Sequence, residues 1–257
     1  MSGVPCFDPW KWREIWSRGE RRREENKMAP PLTFYLRKDC VECRVVWLYM
    51  IRNKITFTMI DIDDDRPVGF AGMSPLGSVP MIIDDINTIT GCLAIVMYLA
   101  EKYTGFSGFG QTPEVRARIE SIICWAATAL TRDVAHNYVY PSLQRQEDSL
   151  PGESNISLIS FGKSEVMFHL TTLENQYLSK SPFLSCDRET FADSWVTVVL
   201  SLLEFASFDF SPWPKVKAWM NNVKANCDYV DVSHTHEEKA RQFCYGFNKS
   251  VGDVRSV

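Results

Sequence analysis

The chain has no run of about 18 uninterrupted apolar residues, so no transmembrane helix is expected. It lacks a secretory h-region near its start, and a secreted, disulfide-stapled domain is therefore not expected. It also lacks the basic excess of a nucleic-acid binder: net charge is −4 and the pI about 5.7. There is no internal repeat, and no low-complexity segment beyond the first thirty residues. What remains is a chain of 257 residues, 45% apolar, long enough for two modest domains around a substantial core. Its eight cysteines are scattered through apolar helical and strand-like stretches, which points to a reduced, cytoplasmic compartment.

Residues 1–31 read as a charged extension. Trp10, Trp12 and Trp16 line one side of a short helix, and Met1 to Lys27 carries seven basic and five acidic side chains, a net of +2. Glu14, Glu20, Glu24 and Glu25 argue against a mitochondrial presequence, which is poor in acids. Ala29-Pro30-Pro31 ends the segment. A β-α-β pattern follows over residues 32–105. Thr33 to Leu36 is a strand, Val41 to Asn53 a helix with Val45 and Leu48 inward, and Phe57 to Ile62 a second strand. Asp63-Asp64-Asp65 makes an acidic loop, Gly69 to Met73 a short helical turn, Met81 to Ile83 a third strand, Asp84-Asp85 a turn and Asn87 to Ile89 a fourth strand. Gly91 to Tyr103 is an amphipathic helix with Leu93, Ile95, Val96 and Leu99 among its apolar positions.

Residues 106–112 read as a linker, 113–248 as an all-helical domain and 249–257 as a tail. Helical runs are expected near 113–138, 161–179, 190–206, 214–226 and 235–247, with a loop over Leu150 to Ser154. Thr190-Phe191-Ala192-Asp193 has the form of a capping box. Trp125, Trp195 and Trp219 fit a core, His234 to His236 a solvated helix start, and His136 and His169 have no partner motif.

Chemistry concentrates at Cys40-Val41-Glu42-Cys43, where a strand turns straight into a helix. A cysteine there meets the unpaired N–H groups and the positive end of the helix dipole, which favour a thiolate. The spacing admits a redox pair, with Cys40 as nucleophile and Cys43 as its resolving partner, and equally a structural Cys43 packed in the helix. Pro80 precedes the third strand; a cis bond there would present the Val79 backbone beside Cys40. Cys92, Cys124, Cys186, Cys227 and Cys244 read as small buried hydrophobes. Cys40, Cys43 and Cys92 show no tetrahedral ligand spacing, so no metal is expected.

The segments FYL…CR, SPLGSVPMIIDD, TITGCLAIVMYLAEKY, EVRARIESIICW, FL…ETFADSWV and WPKVKAWMNNVKANC, in this order from about Leu32 to Gln242, resemble the cytosolic glutathione S-transferases, most closely the theta class in its invertebrate form. The resemblance implies an α/β thioredoxin-like N-terminal domain, an all-α C-terminal domain, and a homodimer that binds glutathione and a small hydrophobic electrophile. It implies a catalytic position at Cys40, where theta enzymes carry serine, and a backbone clamp at Val79-Pro80. It places Ser78 where the family has a lysine-type residue, and Gly91-Cys92 where it has the pair holding the γ-glutamyl end. Losing two hydrogen bonds to charged groups, each about 1.5–3 kcal/mol, would weaken binding roughly 100-fold. Asp63 to Asp65 fall where the family meets the glycine carboxylate, and three acids there would repel it. Two functions follow: glutathione conjugation or thiol transfer through Cys40, and, alternatively, a non-catalytic relative that binds a partner.

Overall fold

The computed structural model describes residues 32–74, 76–147 and 153–234, with His236 and Glu238 beyond them. The extension 1–31, the tail 249–257 and most of the helix expected at 235–247 lie outside the described residues. Strands β1 (Leu32–Leu36), β2 (Phe57–Asp61), β3 (Met81–Asp84) and β4 (Asn87–Thr90) form one sheet in the order β2-β1-β3-β4. β1 and β2 run parallel, from Leu32 opposite Phe57 to Leu36 opposite Asp61, so a crossover must join them. Helix α1 (Val41–Arg52) is that crossover. β3 lies antiparallel to β1 and to β4, and Asp84 closes the last ladder pair with Asn87, so the turn sits at Asp85-Ile86 rather than at Asp84-Asp85.

Alternation assigns the two faces. Phe34, Leu36 and Ile82 point into the main core with Val45, Leu48 and Met50 of α1. Tyr35 and Met81 point the other way, onto Ile62 and onto Phe70 of the short helix α2 (Phe70–Met73). Helix α3 (Cys92–Leu99) continues through wider turns to Thr104; its Ile95, Val96 and Leu99 are fully buried. Leu93, expected to be inward, is 37% exposed, because the three inward residues already define the face that meets the sheet.

The remaining elements are helical. α4 (Pro113–Trp125) continues through Ala126–Leu130 and Arg132–Val139 into α5 (Tyr140–Glu147), and α6 (Glu153–Thr172) continues to Tyr177. α6 begins eight residues before the expected start, within what reads as a loop at Glu153-Ser154. α7 (Phe191–Leu200) and α8 (Pro214–Lys224) follow, and residues 227–234 are helical as well. Among the described residues no helix is long and apolar enough to cross a membrane.

Several expectations about single side chains change. His236 is fully buried against the Phe205 ring, not a solvated helix start, while His234 is exposed. His169 does have a partner: its Nε2 lies 3.0 Å from Asp133 Oδ2. Cys124 and Cys227 are exposed and Cys186 is half-buried, rather than being core hydrophobes, and Cys244 lies outside the described residues. Trp195 and Trp219 are core; Trp125 is only half-buried, against His169.

Two buried charges tie the helices together. Asp193, at the third position of α7, accepts from the Thr190 N–H and hydroxyl (both 2.8 Å), from the Leu184 N–H (2.8 Å) and from the Trp219 indole (3.0 Å). The capping box read from the sequence is present. Arg44, on α1, is also fully buried, and among the described residues its guanidinium donates to hydroxyls: Ser201 (3.2 Å), Ser233 (2.9 Å) and Tyr229 (3.5 Å). At the far end of α1, Arg52 pairs with Glu189 at 2.6 Å and donates to Ser194 of α7. Helix α1 is thus fastened to the helical part of the chain at both ends.

Candidate active site

The turn between β1 and α1 is closed by the Cys40 N–H donating to the Arg37 carbonyl at 3.2 Å. Cys40 is the N-cap residue of α1, in extended backbone, and its carbonyl accepts from the Arg44 N–H at 3.0 Å. Its side chain makes no capping bond and is left for other work. The thiol donates to Glu42 Oε2 at 3.2 Å.

Cys40 opens onto a cavity of about 440 Å³. The β1–α1 turn contributes Arg37, Asp39 and Cys40; the segment after β2 contributes Ile62 and Arg66; the approach to β3 contributes Gly77, Ser78 and Val79; the helical part contributes Tyr140. The Val79-Pro80 bond is cis, and Val79 lines the same cavity as Cys40. Ser74, fully buried, holds that wall in place: its hydroxyl donates to the Ser78 carbonyl (3.3 Å) and accepts from the Ser78 N–H (3.2 Å). The Gly91 N–H donates to the Pro80 carbonyl at 3.3 Å, so the start of α3 backs the same wall. Gly91 sits at φ +87°, a conformation that side-chain-bearing residues adopt at a cost. Of the residues expected at the site, Cys40, Ser78 and Val79 line the cavity; Pro80, Gly91 and Cys92 do not.

Cys43 is turned into the core, with no exposed surface, and burial pushes its thiol well up, with Cys40 beside it adding to the shift. The Cys92 thiol is likewise pushed up, by burial first and by the charge of Glu42 second.

The acidic loop does not act as three free charges. Asp63 pairs with Arg37 at 3.0 Å, and Lys38 bridges Asp64 (3.2 Å) and Asp61 (3.3 Å). The expected repulsion of an anion is reduced by these pairs. Arg66 stands beside them on the cavity rim, exposed, its guanidinium 5.4 Å from the Phe70 ring centre. The cavity therefore presents two guanidinium groups, the Asp39 carboxylate and the Cys40 thiol to an incoming ligand.

Three participants escape a reading of the sequence. Glu42 lies inside the motif, but only the structure shows its carboxylate on the Cys40 sulfur. Arg66 reads as part of an acidic loop. Tyr140 lies a hundred residues from Cys40 and carries no local signal. Its phenol is pushed up, first by burial and then by the charges of Glu42, Cys40 and Asp39, so it stays protonated opposite the sulfur.

A second polar cluster lies away from this cavity. Donor atoms of Asp133, Glu165 and His169 fall within 4.8 Å of one another, a spacing that suits a metal ion. Both Asp133 oxygens are already engaged, by the Arg132 fork (2.8 and 3.0 Å), by Asn137 (2.9 Å) and by His169, so the cluster reads as a structural network.

With this geometry in hand, the chain can be compared with known proteins. Residues 34–107 match the family model of the glutathione S-transferase N-terminal domain. Glutathione S-transferase theta-1 of Bos taurus is 26% identical over 216 residues, covering 80% of this chain and 88% of that protein. The human theta-1 protein is 25% identical over 224 residues, covering 82% and 91%. The dichloromethane dehalogenase of Methylophilus leisingeri is 37% identical over 94 residues, about a third of each chain. In fold, the chain is similar to human glutathione S-transferase T1-1 in its apo form, with a TM-score of 0.70 at 24% identity, covering 81% of this chain and 89% of that one.

Proposed function

We propose that this chain, a theta-like member of the glutathione S-transferase family, is a glutathione-dependent transferase with Cys40 at its reactive position. As a transferase it joins the glutathione sulfur to a small electrophile. The finer reading is thiol transfer, in which Cys40 attacks a glutathione-bearing disulfide, becomes the mixed disulfide, and is released by a second glutathione thiol. The observation that carries this reading is the position of Cys40: a thiol at a helix N-terminus, free of capping duty, opening on a cavity that Val79, before the cis Val79-Pro80 bond, also lines.

In this reading Val79 and Pro80 present backbone groups to the peptide, and Arg66 and Arg37 meet its carboxylates in place of the family's usual side chains. Ser78 and the Gly91-Cys92 pair contribute shape rather than charge. Cys43 is assigned to packing, because a resolving thiol must reach its thiolate form and the solvent-facing sulfur, and this one is sealed in the core. Ile62 and the Tyr140 ring supply an apolar side for a small hydrophobic electrophile. The non-catalytic alternative, which rested on Asp63 to Asp65 and on Gly91-Cys92, is less favoured, since two of those three acids are paired with Arg37 and Lys38.

The protein is further read as a cytoplasmic homodimer. Six free cysteines among the described residues support a reducing compartment. Phe161 and Phe168, 54% and 64% exposed on α6, support a self-associating surface, which a monomeric mass in sedimentation would refute.

The test is a Cys40→Ser variant, with glutathione titrated calorimetrically into wild type and variant. Thiol transfer should vanish in the variant while glutathione binding is kept and conjugation stays or rises. Equal thiol transfer in both proteins, or no binding heat in either, would sink the reading.

A further inference from the structure

Glu42 stands in the first turn of α1, half-buried, with its carboxylate on the sulfur that the proposed chemistry uses. The 3.2 Å contact runs from thiol to carboxylate, within the reach a general base needs. Its charge is felt by Cys43 on the same helix, by Cys92 at the start of α3 and by Tyr140 of the helical part. These groups, with Asp39, Arg37 and Arg66 on the rim and Arg44 behind, are the titratable and charged neighbours of the pair. Among the described residues no lysine or arginine pairs with Glu42, so its oxygens are not diverted from Cys40.

A carboxylate in that position acts in two opposing ways. As a fixed negative charge it disfavours a standing thiolate. As an acceptor already on the S–H, it can remove the proton while the sulfur attacks. The second action makes the first tolerable, because no free thiolate has to accumulate.

We propose that Glu42 is a catalytic residue that takes the Cys40 proton during attack and hands it to the departing sulfur. This rests on the thiol-transfer reading above. In the first half-reaction the Cys40 sulfur bonds to the glutathionyl sulfur of a mixed disulfide. The substrate S–S bond breaks with its electron pair on the other sulfur, and the proton moves from Sγ through Oε2 to that leaving thiolate. Cys40 thiol and RS–SG thus give Cys40–S–SG and RSH. In the second half a glutathione thiol attacks, Glu42 takes its proton, and the proton passes to Cys40 as oxidised glutathione departs.

The experiment compares wild type with Glu42→Gln in the reduced, full-length chain, using two probes of Cys40. Iodoacetamide reads proton removal without glutathione; oxidised glutathione reads formation of the mixed disulfide. Adducts are assigned by peptide mass spectrometry, because Cys124 and Cys227 are exposed and also react. Near pH 6 the Glu42→Gln protein should react with both probes about tenfold or more slowly, and the gap should narrow toward alkaline pH as hydroxide takes over proton removal. Glu42→Asp should fall between the two. A Gln variant as fast as wild type, or faster, near pH 6 would overturn the proposal, since it would leave the carboxylate as a repelling charge only. If iodoacetamide shows the gap while oxidised glutathione labels neither protein, the base role stands and the thiol-transfer reading fails. Unchanged thermal unfolding of the variants confirms that the fold is kept.

Discussion

Asp193 and Arg44 are both fully buried charges, and the fold treats them differently. Asp193 is met by four donors, three of them within ten residues along the chain. Arg44 is met by three hydroxyls, all more than 150 residues away, and its Nε has no partner among the described residues. An anion ringed by N–H and O–H donors repays much of its desolvation, though burial still pushes the Asp193 carboxyl up; a cation held by three hydroxyls meets only neutral partners among the described residues. The anion therefore anchors the helical part, while the cation fixes where two parts meet.

The sharpest way to break this comparison is to delete the anion. Asp193→Ala should cost roughly 3–5 kcal/mol, because it orphans several buried donors at once. Denaturant unfolding should show this as a lower midpoint with an unchanged slope. Arg44→Met, which removes a charge of poor partnership and keeps the volume, should cost clearly less, about 0–2 kcal/mol. A loss from Arg44→Met as large as that from Asp193→Ala would overturn the distinction. Thr190→Ala isolates the local share of the Asp193 ring and should cost about 1 kcal/mol as a lost N-cap.

Asp84 extends the comparison to pH. Burial alone would raise its carboxyl, but Lys102 (2.6 Å), Tyr98 (2.7 Å) and Tyr103 (2.8 Å) outweigh it and hold it below the usual range. A depressed folded pKa gives stability that is fully present above the unfolded value, about 3.9, and is lost as pH falls through the folded one. Thermal unfolding should therefore weaken below about pH 4, and Asp84→Asn should flatten that slope slightly.

What the sequence announced was what local spacing determines. The strand over Thr33 to Leu36, the helical face of Val45 and Leu48 and the Thr190–Asp193 box each rest on neighbours in the chain, and each appears in the structure. The cavity was legible only in part. Cys40 and the Val79-Pro80 step are marked by helix and proline chemistry, whereas Arg66 and Tyr140 acquire meaning only when distant segments converge. The acidic loop misled for the same reason: its net charge is set by Arg37 and Lys38, some 26 residues earlier. Exposure of Cys124, Cys227 and Leu93 depends on which helix face is already taken, and composition does not record that.

The fastening of α1 has a mechanical consequence. Arg44 grips Ser201 and Ser233 near one end, and Arg52 grips Glu189 near the other. The helix that carries Cys40 is therefore bolted to the helical scaffold as well as packed on its own sheet. The opposite jaw, with Arg66 and Ser78, sits in exposed loop outside the main core. Any opening or closing of the cavity is then a stroke of that jaw against a stationary anvil, and the sulfur on the anvil keeps its alignment throughout.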